Sequence, residues 1–161
     1  MSDVLIQKTQ DAATIALVHH STVTVAYRDY FPSDSAEPTI EDLTSLWEER
    51  LADPTATVLA ASRSGEVVGT VAVRRDPDFA PEGQLLGLHV LPGDWGRRVG
   101  SALHDAALSS LSTQGYVGVG LWVIAANFRA RRMYENRGWS LMPKVELDFL
   151  GVREVRYARC C

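Results

Sequence analysis

The sequence predicts one mixed α/β domain, with strands and helices in the order β-α-α-β-β-β-α-β-α-β-β. Three stretches carry that reading. Two apolar runs, Thr57–Arg63 and Glu66–Val73, meet at Ser64-Gly65, a two-residue hairpin signal. The apolar strand Gln84–Val90 passes through a proline-closed, Gly/Arg-rich loop into a helix that buries Val99, Leu103, Ala106, Ala107 and Leu111. The strand Tyr116–Ile124 then leads to Asn127, placed to cap a helix that stops at Gly138-Trp139. A length of 161 residues suits a single core, and 46% hydrophobic with 22% charged residues is ordinary globular composition.

The remaining elements follow in order. Val4–Lys8 reads as a first strand, and a helix starts near Asp11 with Ala12, Ala13, Ile15, Ala16 and Val18 as its apolar positions. Residues 27–38, with Tyr27, Tyr30, Phe31, Pro32 and Pro38, read as an aromatic loop. Thr39 and Asp42 match a capping box that opens a second helix through Leu43, Leu46, Trp47 and Leu51, and Asp53-Pro54 ends it. Asp76-Pro77-Asp78 and Pro81-Glu82-Gly83 mark a loop before the strand Gln84–Val90, and Gly115 fits the C-terminal end of the third helix. On Tyr116–Ile124, Val117, Val119, Leu121 and Val123 alternate with Gly118, Gly120 and Trp122. Glycines on one strand face imply that something approaches the backbone closely there. Val145–Phe149 and Glu154–Tyr157 read as a closing hairpin about Gly151. No repeat, low-complexity tract or linker interrupts the chain.

Charge and composition narrow the function. No apolar run approaches the roughly 18–20 residues of a membrane helix. The N-terminal residues lack a basic-then-apolar signal pattern. Cys160 and Cys161 are adjacent, which suits neither a disulfide framework nor a metal site, so a cytoplasmic setting is expected. A net charge of −4 argues against nucleic-acid partners, and the absence of a basic amphipathic helix argues against a membrane surface. Residues 95–138 nonetheless hold six arginines (97, 98, 129, 131, 132 and 137) against Asp105 and Glu135, a local +4. A basic patch on an acidic protein suits a small polyanion. For Arg131 and Arg132 the plain alternative is a solvated helix face. The loop before Val99 is the natural place for the anion: it aims backbone N–H groups and a helix N-terminus at one point, and Arg97 and Arg98 lie in it.

Leu88-His89-Val90-Leu91-Pro92-Gly93-Asp94-Trp95-Gly96-Arg97-Arg98-Val99-Gly100-Ser101 and Asn127-Phe128-Arg129-Ala130-Arg131-Arg132-Met133-Tyr134-Glu135-Asn136-Arg137-Gly138-Trp139 together resemble the GNAT N-acetyltransferases. These enzymes move an acetyl group from acetyl-CoA to an amine. The family's phosphate loop reads Gln/Arg-x-x-Gly-x-Gly/Ala, and its later signature is Asn-x-x-Ala-x-x-x-Tyr-x-x-x-Gly-aromatic. The resemblance is strong over residues 84–139 and extends over 4–76, while 140–161 rests on two strand-like stretches. It implies the GNAT acyl-CoA N-acyltransferase fold over one domain, 1–161: a mostly antiparallel sheet, splayed at the cofactor slot, with about four flanking helices. It further implies acetyl-CoA as cosubstrate with no metal. The acceptor would be an amine of a small molecule, protein N-terminus or lysine, and the family allows a homodimer.

Residue by residue, the resemblance places the pyrophosphate over Gly96, Arg97, Arg98, Val99, Gly100 and Ser101, and the pantetheine arm along Leu88, His89 and Val90. Asn127 is first a helix cap and second a cofactor contact. Two positions depart from the pattern. Trp95 stands where the family has Gln or Arg, and Arg98 stands at the first motif glycine, so no left-handed backbone is expected at position 98.

Tyr134 takes the family position of the acid that protonates the departing thiol. A thiol pKa near roughly 8.5 and a tyrosine near about 10 make that transfer feasible. A packed core tyrosine is the plain alternative. The base is open: Gln84–Val90 carries no carboxylate, which leaves Glu82, His89, His19 or a water chain, and His89 has the most suitable intrinsic pKa. His19, His20, Thr24, Tyr27, Tyr30, Phe31 and Trp47 would border the acceptor. The aromatics among them could face an amine through cation–π contact or staple a lid. A non-catalytic acyl-CoA sensor is the alternative function. A P-loop nucleotide binder is disfavoured because Gly-x-x-x-x-Gly-Lys-Ser/Thr is missing.

Overall fold

Among the described residues seven strands form one sheet, and four helices cover its two faces. The computed structural model describes residues 3–161. The elements are β1 (Leu5–Thr9), α1 (Ala12–Thr22), α2 (Ile40–Leu51), β2 (Thr57–Arg63), β3 (Glu66–Arg75), β4 (Gly83–Val90), α3 (Val99–Thr113), β5 (Gly118–Ile124), α4 (Phe128–Asn136), β6 (Ser140–Phe149) and β7 (Val152–Cys160). Strand order across the sheet is β1-β2-β3-β4-β5-β7-β6, antiparallel except between β4 and β5. None of the described helices is long and apolar enough to cross a membrane.

Strand alternation sorts the core into two layers. On one face Leu59, Val71, Val73, Leu85, Val119, Leu121, Val155 and Tyr157 pack against Val99, Leu103, Ala107 and Leu111 of α3 and Tyr134 of α4. On the other, Val58 and Ala72 meet Ile15 and Ala16 of α1 and Leu43 and Trp47 of α2.

Local signals set most boundaries. Asp11 caps α1 by accepting from Thr14 N at 3.1 Å, and the Thr39–Asp42 capping box opens α2. Ser64 and Gly65, with φ of 53° and 84°, form the left-handed pair that a tight hairpin turn requires.

Two segments differ from expectation. The aromatic stretch does not begin as a loop: α1 runs into a π turn at Val23–Tyr27 and a 3₁₀ turn at Arg28–Tyr30. Thr22 and Thr24 hydroxyls donate back to the carbonyls of Val18 and His20, a competition for the helix ladder that accompanies widening of the turn. The β6 strand begins at Ser140 and carries a register shift between Leu141 and Glu146, with Lys144 at φ 63°.

The close approach expected at the β5 glycines comes from within the protein. A Cβ on Gly120 would collide with the Arg156 guanidinium of β7. Arg156 is fully buried, donates to Asp76 at 2.7 Å and Glu82 at 3.2 Å, and lies 3.7 Å from the Phe79 ring centroid.

Candidate active site

The sheet opens where β4 leaves β5. These strands pair only at Gly83↔Val119 and Gln84↔Gly120, so the facing edges from Leu85 and Leu121 onward carry no ladder bonds to each other. On its other side β4 stays bonded to β3, through Leu85 and Leu86 and, past a bulge, through His89 and Val90. Gly87 sits at that bulge with φ +60°, and a Cβ there would meet the Trp47 ring at 2.7 Å. The splay that the resemblance implied is thus present, with Leu88, His89 and Val90 along its β4 wall.

Beyond Val90 the chain turns through Pro92–Asp94 into the start of α3. Asp94 is pinned by Arg63 at 2.8 Å, and the Trp95 indole N–H donates to the Val90 carbonyl at 2.8 Å. Trp95 is therefore a strut, with the Arg129 guanidinium 5.2 Å from its ring centroid. Arg98 corrects the expectation stated above: its φ of 64° and ψ of 11° are left-handed. The turn into α3 demands that conformation whatever residue occupies it, and arginine bears a cost of roughly 1–2 kcal/mol for it. Arg98 gives the helix no side-chain cap, so the first N–H groups of α3, at Val99, Gly100 and Ser101, lack side-chain acceptors. Gly96, Arg97 and Arg98 are exposed beside them. Inside the protein, a Cβ on Gly100 would meet only Val90, at 3.7 Å.

The other arginines divide. Arg131 is a structural clamp, donating to the Tyr157 hydroxyl at 2.9 Å and the Ala125 carbonyl at 2.8 Å, which replaces the solvated-face alternative for that residue. Arg137 pairs with Asp105 at 2.6 Å. Arg129 and Arg132 line a shallow groove along α4.

At the far end of the splay stand Asn127 and Tyr134. The Asn127 side-chain oxygen accepts from Ala130 N at 3.1 Å, leaving its amide nitrogen as the part able to reach a ligand. Tyr134 lies two turns later, buried, with Trp139 packed edge-on at 5.8 Å. Burial above all, then the nearby Tyr27 phenol, pushes its pKa above the usual tyrosine range, so it holds its proton at neutral pH.

Across the sheet, His89 stacks on His19 at 4.3 Å, and Trp47 donates its indole N–H to His19 Nδ1 at 3.1 Å. Burial, then neighbouring charges, lowers His19 to about 4 and His89 well below the ordinary histidine value. Both rings are neutral at pH 7, and His89 is a weak proton acceptor whose Nδ1 has no partner. Tyr27 approaches His89 edge-on at 6.1 Å, and Tyr30 lies 6.3 Å from Tyr27. Phe31 packs instead on Phe149 of β6 at 6.4 Å. Glu82 is committed to Arg156. Among the described residues no group of three or more metal-ligating side chains is placed to hold a metal ion.

Sequence reasoning passed over Glu154. It lies on β7 opposite Ile124, half-buried, and desolvation pushes its carboxyl upward. The available signal was its place in the alternation of Glu154–Tyr157, which puts Glu154 and Arg156 on one face.

Residues 21–139 match the model of the acetyltransferase (GNAT) family. This chain belongs to the GNAT family. Among its curated relatives, a mycothiol acetyltransferase of Propionibacterium freudenreichii is 32% identical over 105 residues, covering 65% of this chain and 34% of that protein. An uncharacterised N-acetyltransferase of Mycobacterium bovis is 33% identical over 93 residues, 58% of each chain. This GNAT chain thus spans about a third of the first relative's length and under two thirds of the second's. Two solved structures share the fold end to end. A ribosomal-protein-alanine N-acetyltransferase from Brucella melitensis superposes with a TM-score of 0.76 at 16% identity, covering 98% of this chain and 99% of its own. A PaiA N-acetyltransferase from Thermoplasma acidophilum, solved in complex with coenzyme A, gives 0.72 at 16% identity and 99% of both chains.

Proposed function

We propose that this protein transfers the acetyl group of acetyl-CoA to a primary amine of a small molecule or a protein, in a cytoplasmic setting. The observation that carries the reading is the continuity of the β4–β5 splay with the start of α3, whose first N–H groups lack side-chain caps. A pyrophosphate there meets free N–H groups at the positive end of a helix, with Arg97 and Arg98 adding charge. The arm of the cosubstrate can add to the unpaired β4 edge in β fashion along Leu88, His89 and Val90. The open space at Gly100 fits this, since nothing inside the protein requires glycine there.

At the thioester, Tyr134 donates a proton to the departing sulfur. Tyr27 and Tyr30 border the acceptor and present ring faces to a cation. His89 shapes this wall, because its burial makes it a poor base.

The reading is tested by a transfer screen across amino acids, polyamines, aminoglycosides and N-terminal peptides, with mycothiol-related amines added because of the relative's name. Release of free CoA thiol that depends on an added amine is the expected result. Tight binding of acetyl-CoA with no release for any amine would instead favour an acyl-CoA sensor.

A further inference from the structure

We propose that Glu154 is the carboxylate that receives the acceptor: it holds the incoming ammonium beside Tyr27 and takes the proton that must leave before attack. The proposal rests on the acetyl-transfer reading above and assigns the base that reading lacks.

Three observations converge on it. The first is place. Glu154 is opposite Ile124 at the open end of the splay, four residues beyond the paired Gly120, and it shares the sheet face of Arg156 and Trp122. The second is availability. Asp76 and Glu82 serve Arg156, Glu146 serves Arg153, Asp105 serves Arg137, and Glu135 accepts from Tyr157. Glu154 has no ion pair or side-chain hydrogen bond among the described residues. A half-buried carboxylate without a partner is costly, and a cationic ligand would offset that cost.

The third is the surrounding wall. Tyr27 links Glu154 to the histidine pair: its ring lies 6.1 Å from His89, and burial, then the Glu154 charge, then Tyr30 push its phenol up to about 12. His89 Nδ1 is buried and unpartnered on that wall. Neither His19 nor His89 carries charge at pH 7, so the histidine pair itself offers no cation to the carboxylate; the cation whose charge acts on both rings, Arg50, lies over the Trp47 ring at 4.7 Å. Across the strands, Ile124 and Leu147 are the uncharged partners of Glu154. Such a site favours an alkylammonium with apolar surroundings and disfavours an acceptor with a carboxylate beside its amine.

The proton inventory closes. An alkylammonium with pKa near about 10.4 is roughly 1 part in 10³ neutral at pH 7. Glu154 takes one N–H proton and passes it to water. The amine nitrogen then bonds to the thioester carbon and the C–S bond breaks. Tyr134 gives its proton to the sulfur, and the second N–H proton, acidic once nitrogen is bonded to the acyl carbon, restores the phenol. The net products are amide, CoA thiol and one proton.

Glu154→Gln keeps the shape and removes both charge and basicity. Its acetyl-CoA affinity should stay within about twofold of wild type, while kcat/KM for an alkylamine falls by about 10²-fold or more. With an aromatic amine that is already neutral at pH 7, the loss should shrink to under about tenfold. The wild-type rate for the alkylamine should also show an acidic limb, set by a carboxyl above its usual range, that the variant lacks. Wild-type rates in Glu154→Gln, or equal losses on both amines, would overturn the assignment. Should the variant fail to fold, a wild-type profile for the alkylamine without an acidic limb would overturn it equally. A wild-type protein that acetylates no amine overturns the acetyltransferase reading itself, a result distinct from the others.

Discussion

Burial sets the protonation state of Tyr134. Its raised pKa keeps the phenol protonated in the resting protein, and in the proposed reaction that proton would go to the thiolate formed as the C–S bond breaks. Tyr134→Phe loses a single oxygen, so fold and acetyl-CoA affinity should persist while kcat falls by roughly 10²-fold. The deficit should narrow with acyl donors of lower thiol pKa, which need less protonation, and steady-state kinetics across such donors would reveal it. A Phe variant with full turnover would make Tyr134 a packing residue. Arg98 offers a second test at this scale. Its left-handed backbone costs roughly 1–2 kcal/mol, and glycine would relieve that strain at an entropic cost of about 0.5–1 kcal/mol. Arg98→Gly should therefore be neutral or more stable by up to about 1.5 kcal/mol in urea unfolding. Arg98→Val, branched at a positive φ, should be clearly less stable than the glycine variant.

Among the elements, β5 and β7 are locked by a buried arginine that a single methyl group would disturb. Gly120→Ala drives a Cβ into a guanidinium already fixed by Asp76 and Phe79, and should cost about 2–4 kcal/mol by denaturant unfolding. Gly118→Ala, whose Cβ would stand 3.4 Å from Glu82, should cost under about 1 kcal/mol. The same contrast separates what the sequence disclosed from what it could not. The Thr39 capping box, the Ser64-Gly65 turn and the Asn127 cap are local chemistry, and each sits where its residues placed it. Glycines at 118 and 120 signalled a close neighbour, but naming Arg156 required the pairing of β5 with a strand more than thirty residues away. Glu154 was hidden for a related reason: a lone carboxylate becomes informative only once its β7 neighbours Arg153 and Arg156 are seen to be engaged by other carboxylates. The conformation of Arg98 escaped because the turn into α3 selects it against the residue's own preference.

Taken whole, the molecule has two pH-dependent walls of opposite sense. His19 and His89 have folded pKa values below the ordinary 6.5, so the unfolded chain protonates first as pH falls. Their contribution is complete above that value and erodes below it, for His19 across the window from 6.5 to about 4. The slope is at most about 1.4 kcal/mol per pH unit for each ring. Glu154, raised rather than lowered, works in the opposite direction above the ordinary glutamate range. Stability in urea should fall from pH 7 to pH 5, and His19→Gln should flatten the fall. A wild-type profile flat over that range would contradict the burial assigned to the pair.

The same molecule is acidic as a whole yet leaves Arg97 and Arg98 exposed at the start of α3, with Arg129 over the neighbouring Trp95 ring, an arrangement that suits a phosphorylated cosubstrate. Titration calorimetry of acetyl-CoA into wild type and Gly100→Val addresses that most directly. The substitution has room inside the protein, where Val90 at 3.7 Å is the nearest neighbour, so its effect falls on whatever approaches α3 from outside. Wild type should bind, and Gly100→Val, folded by circular dichroism, should bind at least about tenfold more weakly, a difference of about 1.4 kcal/mol. Equal affinity in the two proteins would contradict the account, because the pyrophosphate would then lie somewhere other than the start of α3.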